Sequence, residues 1–244
     1  MSVAGKYRMV AIDLDGTLLS PFGEVTPRAK AAIHRCLSAG LLVCFATGRN
    51  WTESRAVLDA VAHYDTAVFV GGAMVVDTKH RMTLHRTMMD PALAGSICGH
   101  FERTGQAALA LQDTGAAGVD YLVSADVPVN DATAQWMSIT AARVHRVPTL
   151  SDPAAHEHTI RVGIVAPPEQ TQAAKRELEE RHGSAIMVHS LFVPAYGVEV
   201  LEVFDPSVNK WAGLLHVARH HGIEPEQIIA IGDDLNDLAM IENA

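Results

Sequence analysis

"MVAIDLDGTLLS", residues 9–20, decides the fold. Four apolar residues, Met9 to Ile12, run into two carboxylates, Asp13 and Asp15, and then into a Gly16-Thr17 turn. A continuous apolar run with no polar alternation reads as a strand buried on both faces, the kind found in parallel sheets. The carboxyl end of such a strand is where an open α/β sheet binds its ligands.

The flanking sequence keeps that grammar. Thr26-Pro27 opens a helix, with Thr suited to the N-cap and Pro to the first helical position, and Gly40 closes it. "LLVCFA" (41–46) reads as a second buried strand, "TESRAVLDAVA" (52–62) as a helix and "AVFV" (67–70) as a third strand. Near the other end "NKWAGLLHVARHHG" (209–222) reads as a helix closed by Gly222, and "QIIAIGDD" (227–234) as a strand running into acids. The middle differs. "ALALQ" (108–112), "VDYLVSA" (119–125), "IRVGIVA" (160–166), "AIMVHSLF" (185–192) and "VEVLEVF" (198–204) read as strands, with helices near 91–104, 130–143 and 168–182. Strands alternating with helices at both ends, around a middle of denser strands, predict an α/β core interrupted by an inserted α+β domain.

Bulk properties narrow the function. With 244 residues, 48% of them hydrophobic, the chain has ample material for a large core. A net charge of −9 and the lack of a basic run argue against a nucleic-acid partner. No stretch approaches the roughly 20 apolar residues of a membrane helix. Cys36, Cys44 and Cys98 are widely spaced with no C-x-x-C pair, which suits reduced thiols. A cytoplasmic protein without a membrane or nucleic-acid partner is expected, as a monomer or homodimer.

Three strands of the outer region end in distinctive polar groups: Asp13 and Asp15, "TGRN" from Thr47, and "GDDLND" with Asp233, Asp234 and Asp237. A parallel sheet brings such ends to one crevice, although almost the whole chain separates the first from the last. Several carboxylates in one crevice repel one another. A hard divalent cation relieves this, and Mg²⁺ takes oxygen ligands together with substrate phosphate. Lys210 adds positive charge. Such a site suits an anionic phosphoryl group.

"DLDGT", "TGR", a Lys opening a helix, and "GDDLND" occur in the order of the haloacid-dehalogenase-like phosphatase superfamily. The chain resembles its Cof-like branch, in which a large α/β cap is inserted. "FATGRNW", "GVEVLEVFDPSVNKWAGL" and "IGDDLNDLAMI" carry that resemblance. It implies a Rossmann-like parallel-sheet core with an inserted α+β cap: core over 1–82, cap over 83–190, core again over 191–244.

The resemblance also implies roles. Asp13 would be the nucleophile, forming an aspartyl-phosphate. Asp15 would protonate the leaving oxygen and later activate water. Thr47, with Gly48 beside it, would contact the phosphoryl oxygens, and Lys210 would neutralise developing charge. Asp233 would bind Mg²⁺ with Asp13 and the main-chain carbonyl of Asp15. Asp237 would be a further ligand or hold a metal-bound water. Asn236 would position Lys210 or the phosphoryl group. The implied activity is Mg²⁺-dependent hydrolysis of a small phosphorylated metabolite, a sugar phosphate or similar monoester. A phosphomutase or phosphotransferase using the same intermediate is the alternative within enzymes; a silent metal- or metabolite-binding protein is the alternative outside them.

Other residues have plainer expectations. Thr47 suits the N-cap of the next helix as well as a phosphoryl contact, and Asp234 suits a cap. Arg49 is expected to pair with a carboxylate at the crevice edge. His156 and His158, like His220 and His221, are expected at a solvated surface rather than on a metal. Met88, Met89 and Trp211 are expected to pack in a core or between domains. Two departures from the branch stand out: Gly71 replaces the Asn usual after the third strand, and relatives continue past "MIENA" for about one strand–helix unit, without which a sheet edge is expected to be shortened or exposed.

Overall fold

A computed structural model of the chain describes residues 5–194 and 196–244. The first strands and helices are β1 (Met9–Ile12), α1 (Pro27–Ser38), β2 (Leu42–Phe45), α2 (Trp51–Ala60), β3 (Thr66–Phe69), β4 (Met74–Asp77) and β5 (Met82–Arg86). The middle supplies α3 (Pro91–Arg103), β6 (Leu109–Gln112), α4 (Thr114–Ala117), β7 (Tyr121–Ser124), α5 (Asp131–Ile139), β8 (Val144–Val147), β9 (Thr159–Ala166), α6 (Pro168–His182), β10 (Met187–Val193) and β11 (Val198–Phe204). The chain then forms α7 (Lys210–His220), β12 (Ile228–Ile231) and α8 (Leu238–Asn243). No helix among the described residues is long and apolar enough to cross a membrane.

Two compact units divide the chain: one runs to Arg86 and resumes at Val208, and the other is Thr87–Ser207. The second boundary lies later than residue 190. The reason is the β10–β11 hairpin, whose second strand also pairs antiparallel with β9 and so belongs to the same sheet.

In the first unit β1 lies between β12 and β2, all parallel. Every residue of β1 is buried, as its unbroken apolar run requires. A parallel bridge from Ala46 to Val68 leads on to β3. There the parallel pattern stops, because β3, β4 and β5 form an antiparallel meander. Thr26 caps α1 by accepting from Ala29 N at 3.2 Å, and Asn50 caps α2 by accepting from Glu53 N at 2.8 Å. The cap of α2 is therefore Asn50 and not Thr47. Met9, Ala11, Cys44, Val68, Leu214 and Val217 share one core, against which Trp211 packs.

The second unit is a six-stranded mixed sheet in the order β10-β11-β9-β6-β7-β8, antiparallel except for the β7–β8 pair. Ile97 and Phe101 of α3 and Leu178 of α6 form one core with Val162, Ile164, Leu201 and Val203 of the sheet. Met89 joins that core, while Met88 is exposed. His156 is not at a solvated surface. It is fully buried, with Nε2 bonded to the Leu150 carbonyl at 2.7 Å and Nδ1 to Thr159 Oγ1 at 2.9 Å. His158 is half-buried, and His220 and His221 close α7 with edge-to-face rings.

Candidate active site

Strand register assembles the site. Ile12 pairs with Ile231 on one side and Phe45 on the other, so the next residue of each strand falls at one sheet edge. Asp13 N donates to the Ile231 carbonyl at 3.0 Å, and Ala46 N to the Ile12 carbonyl at 2.9 Å. Asp13 is therefore the first residue past a fully buried strand, and only 4% of it is exposed.

A buried carboxylate needs a counter-charge, and Lys210 supplies it. The Lys210 ammonium, itself 1% exposed, donates to Asp13 Oδ1 and to Asp237 Oδ1, both at 2.6 Å. Its position follows from how α7 docks. Asn209 caps the helix by accepting from Ala212 N at 2.9 Å. Gly213 seats the helix on β3, where an added Cβ would stand 2.5 Å from Val68 Cγ1. Gly72, at φ +109°, lets the turn after β3 pass against the Asn209 carbonyl. Gly71, at φ +64°, faces open space.

Asp237 is fully buried and uses both oxygens. Oδ1 takes Lys210, and Oδ2 accepts the amides of Asp233 and Asp234, each at 3.1 Å. It thus fixes the loop that presents Asp233. Gly232 makes room for it, since a Cβ there would lie 2.6 Å from Asp237 Oδ2. Asp233 is exposed, and its Oδ1 accepts from the Thr17 hydroxyl at 2.6 Å. Asp234 Oδ1 accepts from Leu235 N at 2.7 Å, the capping role expected of it. The Asn236 Oδ1 is buried with no hydrogen-bond partner among the described residues. A buried acceptor left unpaired costs about 1–3 kcal/mol.

Thr47 is fully buried; its hydroxyl oxygen accepts from Arg49 N at 3.1 Å and keeps its own proton to donate. Gly48 leaves open space beside it. Asp15, by contrast, has Arg49 as its partner. Arg49 grips it with two bonds, Nε to Oδ2 at 2.8 Å and Nη2 to Oδ1 at 2.5 Å. The expected partner of Arg49 at the crevice edge is thus Asp15 itself. The Gly16-Thr17 turn was legible in the sequence, but the bond from Thr17 to Asp233 and the room that Gly232 makes for Asp237 were not.

The electrostatics follow from burial. Burial pushes the Asp13 carboxyl up to about 6; Lys210 opposes that shift, and Asp237 adds to it. Hydrogen bonding to Asp15 holds the Arg49 guanidinium above its ordinary range. Asp13, Asp233 and Asp237 each place an oxygen within 4.8 Å of the others'. Three carboxylates facing one ammonium leave two negative charges in excess, which a single divalent cation balances. All the donors are hard oxygens, the set that Mg²⁺ takes.

Fold and site define a class: an α/β core built on a parallel sheet and interrupted by a mixed-sheet unit, with a carboxylate–lysine centre at the strand ends of the core. The chain belongs to the haloacid dehalogenase-like hydrolase family, whose profile matches residues 10–244. It is 26% identical over 237 residues to an HMP-PP phosphatase of Cronobacter sakazakii, covering 97% of this chain and 81% of that protein. An HMP-PP phosphatase of Citrobacter koseri is also 26% identical, over 239 residues, with the same coverage. Among solved structures, a haloacid dehalogenase-like hydrolase from Bacteroides thetaiotaomicron superposes with a TM-score of 0.79 at 18% identity, covering 98% of this chain and 86% of the other. A subclass IIB sugar phosphatase superposes with a TM-score of 0.78 at 16% identity, covering 97% and 85%.

Proposed function

We propose that the protein is a Mg²⁺-dependent phosphatase of small phosphorylated metabolites, sugar phosphates or similar monoesters, working through an aspartyl-phosphate on Asp13. The observation that carries this reading is the pairing of Asp13 with Lys210 at 2.6 Å, beside Asp233 and two residues before Asp15. The relatives' names agree on phosphatase and differ in substrate, so the reading stops at that class.

Asp13 and Asp233 are the residues proposed to hold the metal, with the main-chain carbonyl of Asp15. Asp237 holds Lys210 and the Asp233 loop, and its remaining lone pairs leave it able to serve as a further ligand or to hold a metal-bound water. When bound, Mg²⁺ supplies positive charge that binds the phosphoryl group and offsets the crowded carboxylates.

The rest belongs to the chain. An Asp13 oxygen attacks phosphorus, the bond to the leaving oxygen breaks, and Asp15 gives that oxygen a proton. Water then attacks the aspartyl-phosphate, Asp15 takes the water's proton, and Asp13 and phosphate are released. Lys210 offsets charge on the transferring group, and Thr47 and the Gly48 backbone orient its oxygens.

The test is phosphate release from a panel of phosphorylated metabolites, with Mg²⁺ and with chelator, beside Asp13→Asn. Release that needs both the metal and Asp13 is the expected result. A folded protein that releases no phosphate from any ester would overturn the reading.

A further inference from the structure

The grip of Arg49 on Asp15 conflicts with the work proposed for Asp15. Each oxygen of that carboxylate already accepts an N–H of the fork, so the lone pairs aimed at Arg49 are not offered to a leaving oxygen or a water. The pair also differs from the other ion pairs of the site. The Asp13 and Asp237 bonds to Lys210 are almost wholly buried, whereas the Asp15 and Arg49 side chains are 56% and 35% exposed. A water-facing pair gives up its partner at little cost, and a buried one does not. The main chain of Arg49 is fixed by its backbone N–H donating to Thr47 Oγ1, so the long side chain is the part able to move. Its planar fork fits phosphate oxygens as well as a carboxylate.

We propose that Arg49 is a positioning residue: it holds Asp15 until substrate arrives, then transfers its fork to an anionic oxygen of the phosphorylated substrate and frees Asp15 for proton transfer. The inference rests on the phosphatase reading and adds to it. Asp15 and the substrate anion compete for one guanidinium, so proton transfer is tied to occupancy by an anion. Substrates with a second anionic group near the ester gain most, since they give the fork a partner without drawing on the phosphoryl oxygens that face Lys210.

Affinity for inorganic phosphate, measured by calorimetry in Mg²⁺, tests the competition. The proteins are the unaltered chain, Arg49→Gln, Asp15→Asn and the double variant. Arg49→Gln is expected to weaken phosphate binding about tenfold, the worth of a charge-assisted pair. Asp15→Asn is expected to tighten it, and to do so several-fold more with Arg49 present than in the Arg49→Gln background. With the best ester of the panel, Arg49→Gln raises KM by more than it lowers kcat, and Arg49→Lys recovers part of the loss. An equal effect of Asp15→Asn in both backgrounds, or an unchanged KM in Arg49→Gln, overturns the exchange and leaves the phosphatase standing. An unaltered chain that neither binds phosphate nor turns over an ester overturns both.

Discussion

Gly16 has no side chain because Asp233 fills the space: a Cβ there would stand 2.7 Å from Asp233 Oδ1 and Cγ. The same glycine sits at φ +79°, where an L side chain is strained. One residue thus brings the turn after β1 against the loop after β12, and so sets how near Asp233 comes to Asp13.

Gly16→Ala is expected to push Asp233 aside at a modest cost to the fold. The strain is about 1–2 kcal/mol, or a Tm lower by a few degrees. Mg²⁺ affinity and kcat/KM should fall at least tenfold. Calorimetric titration with Mg²⁺ beside a thermal melt checks this; an unchanged Mg²⁺ affinity would show that Asp233 is not a ligand.

Lys210→Met strands Asp13 and Asp237 as buried charges. Breaking such a pair costs about 3–5 kcal/mol. Urea unfolding in metal-free buffer should show that loss. Adding Asp13→Asn should restore part of it, because one of the stranded charges is gone.

Adjacent glycines separate two effects. Gly71 and Gly72 both have positive φ, but Gly71 faces open space and Gly72 faces the Asn209 carbonyl. Gly71→Ala should cost about 1 kcal/mol of strain. Gly72→Ala adds a clash with backbone that no rotamer relieves. It should lose more stability than Gly71→Ala, and activity with it, since Lys210 moves with α7. Denaturant midpoints and kcat of the two variants decide the point.

Stability of the second unit should fall in mild acid. Burial holds His156 below its ordinary 6.5, and both ring nitrogens are bonded as a neutral imidazole requires. Above pH 6.5 neither state takes up this proton. Below it the unfolded chain does and the folded chain does not, so folding weakens until the lowered folded value is reached. His156→Gln should make stability less steep below pH 6.5. Hydrogen exchange at β9 over a pH series measures this, and parallel slopes would count against it.

Residues announced by their local context were legible in the sequence. Asp13 ends an apolar run, Lys210 follows a capping Asn209, and Asp233 follows a strand and a glycine. What was missed depends on geometry that spacing does not encode. Alternate residues of an extended segment share a face, which would place Asp15 beside Asp13. The chain leaves the strand at Asp13, and the turn through Gly16 points Asp15 at Arg49 instead. His156 belongs to a polar stretch, and its burial depends on acceptors supplied by Leu150 and Thr159. The boundary near 190 fell inside a hairpin whose strands pair residue by residue from Met187 to Phe204. The β3–β4–β5 meander was hidden because a buried apolar strand looks the same whether its neighbour runs parallel or antiparallel.

The Lys210–Asp13 bond joins residues 197 positions apart, while the second unit is one unbroken stretch, Thr87–Ser207. During synthesis the ribosome makes every residue of that stretch before it reaches Lys210. A nascent chain halted there carries all of the second unit, and an Asp13 with neither its ammonium nor Asp233 and Asp237. Whatever order the parts fold in, translation delivers last the residues that complete the site around Asp13.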